Sequence, residues 1–169
     1  DIICSLGQNV MISNYPEYYK LVEYLSRYTK GYKLGIILGI YNLTRVLDEK
    51  YYTTAKGGLL GAIGNLLGGN VKLYVYPSKR VGEDALYTLN ELELPEKVKP
   101  LLEYLKMNGK LMQIEYANID NLKIISDDVL EMIRRGEDGW EKYVPKKVAT
   151  AIKENCLFDY PCLPEKHKV

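Results

Sequence analysis

The sequence predicts an α/β fold in which helices flank a mostly parallel sheet. Three observations predict it. Residues 33–40, KLGIILGI, are a near-continuous apolar run, as expected of a strand buried on both faces of a parallel sheet. Residues 71–77, VKLYVYP, alternate in polarity and stop at Pro77, which reads as a second strand. Apolar residues around these runs recur at helical spacing, so strands and helices alternate along the chain.

Taken in order, DIICSL at the start and residues 9–12 around Gly7 read as a strand and an edge hairpin. Asn14 is the expected N-cap of the next helix, with Glu17 completing a capping box and Pro16 in the first turn. Tyr15, Tyr18, Tyr19, Val22, Leu25 and Tyr28 follow helical spacing up to a stop at Gly31. Within the 33–40 strand, Gly35 and Gly39 allow something to approach the backbone closely. A helix is expected over Leu43–Tyr51.

The segment 57–69, GGLLGAIGNLLGG, reads as a helix with Gly58, Gly61 and Gly64 forming a bare stripe. That stripe suits either close packing against a neighbouring element or a backbone surface facing a nucleotide. After the 71–77 strand, residues 78–95 read as a polar loop. A helix over Glu96–Met107 tolerates Pro100 in its first turns and is capped by Asn108-Gly109. LMQIEY (111–116) is a third strand, and LKII (122–125) a short fourth one leading into Ser126. Helices from Ser126 to Arg135 and from Val144-Pro145 onward close the chain, with Val148, Ala151 and Ile152 inward and Trp140 as a packing anchor between them.

The length suits a single α/β domain over residues 1–160 with a tail over 161–169. A net charge of +1 with acids and bases mixed gives no basic patch for nucleic acid. No apolar run reaches a membrane span, and no secretory signal is visible. Cys4, Cys156 and Cys162 show no CxxC spacing and, with the single His167, make no zinc site. An odd count favours free thiols in a reducing, cytoplasmic location. The chain starts on Asp1 rather than methionine and reads as a piece of a longer protein.

Ligands of such sheets bind beyond the carboxyl ends of the strands. The expected mouth therefore includes Gly39 to Asn42, Pro77 to Arg80 and Ser126 to Asp128. Ser126 at a helix start, with Asp127 and Asp128 behind it, suits capping; its free amides also suit a phosphate, although two carboxylates repel one. Lys79-Arg80 after a strand end could grip a phosphate. Asp48-Glu49 and Glu83-Asp84 read as solvated surface. GxGxxG, P-loop, HExxH, GxSxG and HxGH are all absent.

The closing stretch resembles the end of the nicotinamide and nicotinate mononucleotide adenylyltransferases. There an ISSTxIR motif opens a helix, a glycine follows, and VPxxVxxYI leads to a final Leu-Tyr. Ile125-Ser126, Leu130, Gly136, Val144-Pro145, Val148, Ile152 and Leu157-Phe158 match that pattern. Asp127 and Asp128 replace its second serine and its threonine, and Glu131 stands where its phosphate-binding arginine would be. A wider resemblance, carried by YPEYYKLVEYLSRYT, DEKYY, GGLLGAIGNLL, NVKLYVYP, ISDDVLEMI, GEDGWEKYVP and VATAIKENCLF, is to longer bacterial and algal proteins commonly labelled nicotinate-nucleotide adenylyltransferase.

The resemblance implies a Rossmann-like, nucleotidyltransferase-type layering and a place in NAD biosynthesis. It implies a phosphate contact at Ser126, with a mononucleotide and ATP–Mg²⁺ as ligands; Gly39, Asn42, Lys79 and Arg80 are the candidate phosphate contacts from their place at the expected mouth of the sheet. Without HxGH, the chain alone is expected to be inactive. A second expectation is a non-catalytic scaffold or oligomerisation module on the same fold, in contact with a second copy or with the rest of a longer chain.

Overall fold

A computed structural model describes residues 2–5, 7–29, 31–79, 85–115 and 118–162. In chain order the helices and strands are α1 (Ile2–Ser5), α2 (Tyr18–Ser26), β1 (Leu34–Gly39), α3 (Ile40–Val46), α4 (Gly58–Leu66), β2 (Val71–Tyr76), β3 (Ser78–Lys79), β4 (Leu86–Tyr87), α5 (Lys99–Met107), β5 (Leu111–Gln113), α6 (Ser126–Arg135) and α7 (Lys146–Asn155). They fall into two compact units. One is a sheet unit, Ser13–Leu122; the other is a helical unit of Asp1–Ile12 with Lys123–Val169.

In the sheet unit, β1, β2 and β5 form a parallel sheet in that order. Each crossover carries helices, as a parallel connection requires: α3 and α4 between β1 and β2, α5 between β2 and β5. The register pairs Leu38 with Val75, and Leu73 with both Ile36 and Leu111. These alternate residues face one core, where Leu38, Leu73, Val75 and Leu111 are buried with Leu43, Leu66 and Leu102. Tyr52 joins that core and donates its hydroxyl to the Val46 carbonyl at 2.8 Å.

The expected strand 33–40 is present as β1, but it is not buried on both faces. β1 lies at the end of the strand order, and Ile37 on its other face is 68% exposed. The two glycines of β1 do permit close approach, and what approaches is tyrosine. A β-carbon on Gly35 would sit 3.2 Å from the Tyr74 ring, and one on Gly39 would sit 3.1 Å from the Tyr76 ring.

Several expected elements differ. Ile2–Ser5 is a helical turn, not a strand, and residues 8–17 form no hairpin. A strand needs a ladder partner, whereas here the Gly7 amide closes locally on the Cys4 carbonyl at 2.9 Å. α2 starts at Tyr18 with Glu17 as a cap that makes no capping bond, so the Asn14–Glu17 box does not form. Pro16 disfavours helical geometry in the residue before it, which delays the start. The Glu17 carboxylate instead accepts from Lys20 at 2.7 Å. α2 ends at Ser26, ahead of the expected stop at Gly31.

The helix expected over Leu43–Tyr51 is split into α3 and a 3-10 turn, Glu49–Tyr52, capped by the Asp48 side chain on the Lys50 amide at 3.1 Å. Asp48 and Glu49 are surface ion-pair partners of Lys50 and Lys97 respectively. The loop 78–95 contains a short antiparallel pair, β3 with β4. LKII is not a strand: Asn121–Lys123 is a 3-10 turn. Arg80, Glu83-Asp84, Tyr116 and His167 lie outside the described residues, as does the tail beyond Cys162.

The glycine stripe of α4 is not one surface. Gly58 takes a left-handed φ of +57°, and Gly64 has nothing within 4 Å of a β-carbon position. Only Gly61 is tightly packed, against the Lys56 carbonyl of its own incoming turn rather than against a neighbouring element.

The helical unit has its own small core of Val129, Ile133, Ala149 and Ile152 around Trp140, which is 1% exposed. The anchor role expected of Trp140 is what it performs. α6 ends at Gly136 in the left-handed region, with the Glu137 amide bonded back to the Met132 carbonyl at 3.0 Å. α7 follows Pro145. The expected set of free thiols is corrected: Cys156 and Cys162 are disulfide-bonded, with α-carbons 5.7 Å apart, and Cys4 alone is free and exposed. The pairing was hidden because a left-handed turn after α7 folds Cys162 back, and spacing alone does not reveal that turn.

Candidate functional site

β1 runs directly into α3 through Gly39. Gly39 is the N-cap in extended geometry (φ −78°, ψ 157°) and offers no side chain. The first-turn amides of α3 therefore lack intrahelical partners, beside the carboxyl end of β1. Gly39 pairs in register with Tyr76, so β1 and β2 finish level. Beyond them, buried Pro77 leads into β3, which ends on half-buried Lys79. Asn42 lies exposed in the first turn of α3. The Tyr41 ring lies 5.6 Å from that of buried Tyr87 on β4.

The expected residues Gly39, Asn42 and Lys79 thus all belong to this end of the sheet unit. A phosphate approaching here would meet amide dipoles and a lysine, a chemically suitable pairing. The Tyr76 ring covers Gly39, so a ligand reaches that backbone only after the ring moves. Tyr41 lay within the expected mouth, but Tyr76 was not anticipated as a site residue; its signal was the alternation that turns it to the same side of the sheet as Gly39.

Ser126 belongs to the helical unit. It opens α6, but the N-cap is Ile125, with no side-chain cap, and no strand leads into it. The expected capping role of Ser126 is therefore corrected. Ser126, Asp127 and Asp128 are all exposed. Glu131 accepts from Arg135 at 2.9 Å.

A cavity of about 600 Å³ lies at the opposite end of the sheet, where β1 and β2 begin. Glu23, Ser26, Tyr32, Asn65 and Asn70 line it. The closing turns of α2 and α4 flank it, since Ser26 ends α2 and Asn65 lies in the last turn of α4. Its lining carboxylate, Glu23, is paired with Arg27 at 3.6 Å, and Lys110 donates to the lining Gly69 carbonyl at 2.7 Å. Its polar residues are scattered along the sequence, which is why no motif announced it.

Shifted titrations have local causes. The hydrogen bond from Lys20 holds Glu17 low, and that from Lys50 does the same for Asp48. Burial pushes the Tyr52 hydroxyl up. The bond from Lys153 holds Glu141 low. Among the described residues no group of His, Cys, Asp and Glu is arranged to hold a metal ion, and no helix is long and apolar enough to cross a membrane. No protein-family model, curated protein or solved structure matches the chain.

Proposed function

We propose that the sheet unit is a Rossmann-like, nucleotidyltransferase-type domain that binds the phosphates of a mononucleotide or ATP, in a protein related to the mononucleotide adenylyltransferases of NAD biosynthesis. The observation that supports it best is the β1–Gly39–α3 junction: a parallel strand passes through a glycine, overlaid by the Tyr76 ring, into a helix whose N-cap makes no side-chain capping bond, and Lys79 follows the neighbouring strand. The α3 amides orient the phosphate, Lys79 neutralises it, and Asn42 offers a neutral amide at the rim. Mg²⁺ arrives with ATP, held by phosphates and water, because the described carboxylates form no cage for it. In this reading the chain binds without transferring adenylyl groups, since the HxGH pair is absent. A cytoplasmic location goes with the same reading.

Calorimetric titration of the chain with ATP–Mg²⁺ and with nicotinamide mononucleotide tests it. Saturable binding is expected, weakened by Lys79→Glu and by Asn42→Asp, which sets a carboxylate against the phosphate without changing side-chain size. No heat at millimolar ligand overturns the proposal. Loss on Ser126→Arg with Asn42→Asp silent moves the phosphate to α6 and overturns the assignment to β1 and α3.

A second reading, a scaffold or oligomerisation module, is favoured by the outer face of the sheet. Parallel sheets are ordinarily covered on both faces. Here Ile37 is exposed and Met112 is 41% exposed, on either side of Tyr74, and β1 pairs only with β2 among the described residues. Light scattering separates the readings: a dimer dissociated by Ile37→Lys supports the scaffold, and a monomer at all concentrations removes it.

A further inference from the structure

We propose that Cys156 and Cys162 form a redox-modification site, in which a dithiol reductant opens the disulfide and releases the loop 157–161 from Trp140. The disulfide spans six residues and ties the end of α7 to the residue that follows the loop. Inside it the backbone is held in an unusual course. Cys156, Phe158 and Asp159 all adopt left-handed φ values, of 51°, 60° and 63°, and none is glycine. Such residues persist only where surrounding contacts over-determine them.

Leu157 and Phe158 are exposed and do not hold the loop down, whereas half-buried Tyr160 packs on the helical core. The Arg134–Asp159 pair, at 3.7 Å, is solvated and weak. The covalent closure acts beside the Tyr160 amide's bond to the Leu157 carbonyl at 3.2 Å and two side-chain contacts near Cys162. The Tyr160 ring meets Trp140 edge-on at 5.9 Å, and Pro161 fills the space beside Gly136, its Cγ 2.5 Å from where a β-carbon would stand. The disulfide is thus the covalent restraint on a left-handed loop that meets the sole tryptophan.

The bond is open to attack, because Cys156 is exposed and Cys162 only half-buried. One thiolate of the reductant attacks a sulfur, breaking the Cys156–Cys162 bond and forming a mixed disulfide. The reductant's second thiolate then displaces the protein sulfur and leaves as a cyclic disulfide. Two electrons and two protons end on the chain, as two thiols. The loop residues can then return to right-handed or extended geometry, and Tyr160 leaves the Trp140 edge. The inference does not depend on nucleotide binding.

The test uses the whole chain. Native thiol titration of air-oxidised protein should count one thiol, Cys4, rising to three after dithiothreitol. Trp140 emission should shift to the red on reduction and return on reoxidation, with far-UV circular dichroism unchanged. Cys162→Ser should hold the red-shifted emission with or without reductant, and Cys4→Ser should keep the switch. Three thiols before reduction, or a rise in thiols with emission unmoved, overturns the proposal. So does loss of helix signal on reduction, which makes the bond a structural staple instead.

Discussion

Substituting alanine at each of the three α4 glycines separates residues that look alike in the sequence. Alanine in a helix interior gains about 1 kcal/mol over glycine. At Gly64 that gain is uncontested, because nothing lies within 4 Å of the new methyl group. Gly64→Ala should therefore stabilise the sheet unit by about 0.5–1 kcal/mol. At Gly61 the methyl would lie more than 1 Å inside the ordinary contact range of 3.4–4 Å, and the obstacle is the Lys56 backbone carbonyl. Relief requires α4 to move, and Leu59, Ala62, Ile63 and Leu66 are buried along it. Overpacking costs roughly 1–3 kcal/mol, and a backbone obstacle belongs at the upper end. Setting the propensity gain against that cost leaves Gly61→Ala destabilising by about 2 kcal/mol. Gly58→Ala meets no neighbour but must adopt φ +57°, which costs about 1–2 kcal/mol. Urea and thermal unfolding followed by far-UV circular dichroism measures all three; 1 kcal/mol moves the midpoint by roughly 2–8 °C in domains of this size. A common direction of shift for Gly61→Ala and Gly64→Ala would refute the reasoning.

The helical unit has few core residues, so Trp140→Ala, with a typical cost of about 3–5 kcal/mol, should unfold it. Hydrogen exchange should then show lost protection in α6 and α7 with β2 still protected. Tyr52→Phe removes the buried hydroxyl bond to the Val46 carbonyl and should cost about 1 kcal/mol, read as a lower thermal midpoint. Glu141 sits below its ordinary value of 4.5 because Lys153 donates to it. A depressed carboxylate contributes stability that is present above its unfolded value and lost as pH falls through the folded one. Unfolding of the helical unit, read by Trp140 emission across acid pH, should therefore steepen below about pH 4.5, and Glu141→Gln should flatten that slope. The partner Lys153 is raised above 10.5, so its contribution holds below that value and disappears as pH rises through the folded one.

Those glycines also mark the limit of what the chain reveals before it folds. Strands over 34–39 and 71–76, the helix over 99–107 and the α/β alternation follow from apolar period and from Pro and Gly punctuation. Both are local properties written in neighbouring residues. Trp140 as an anchor follows from its being the one tryptophan, set between two helices. The junction holding Gly39 and Asn42 was legible for the same reason, as a strand end meeting a helix start. Other features depend on what arrives from elsewhere in the chain. Ile2–Ser5 became helical because no strand came to pair with it. β1 has an exposed face because that side of the whole sheet lacks cover among the described residues, as Tyr76 on β2 and Met112 on β5 also show. Gly39 is covered because parallel register sets Tyr76 beside it, and Cys162 meets Cys156 because three residues turn left-handed. A period can be read along a sequence, but proximity is created only when separate segments share one core.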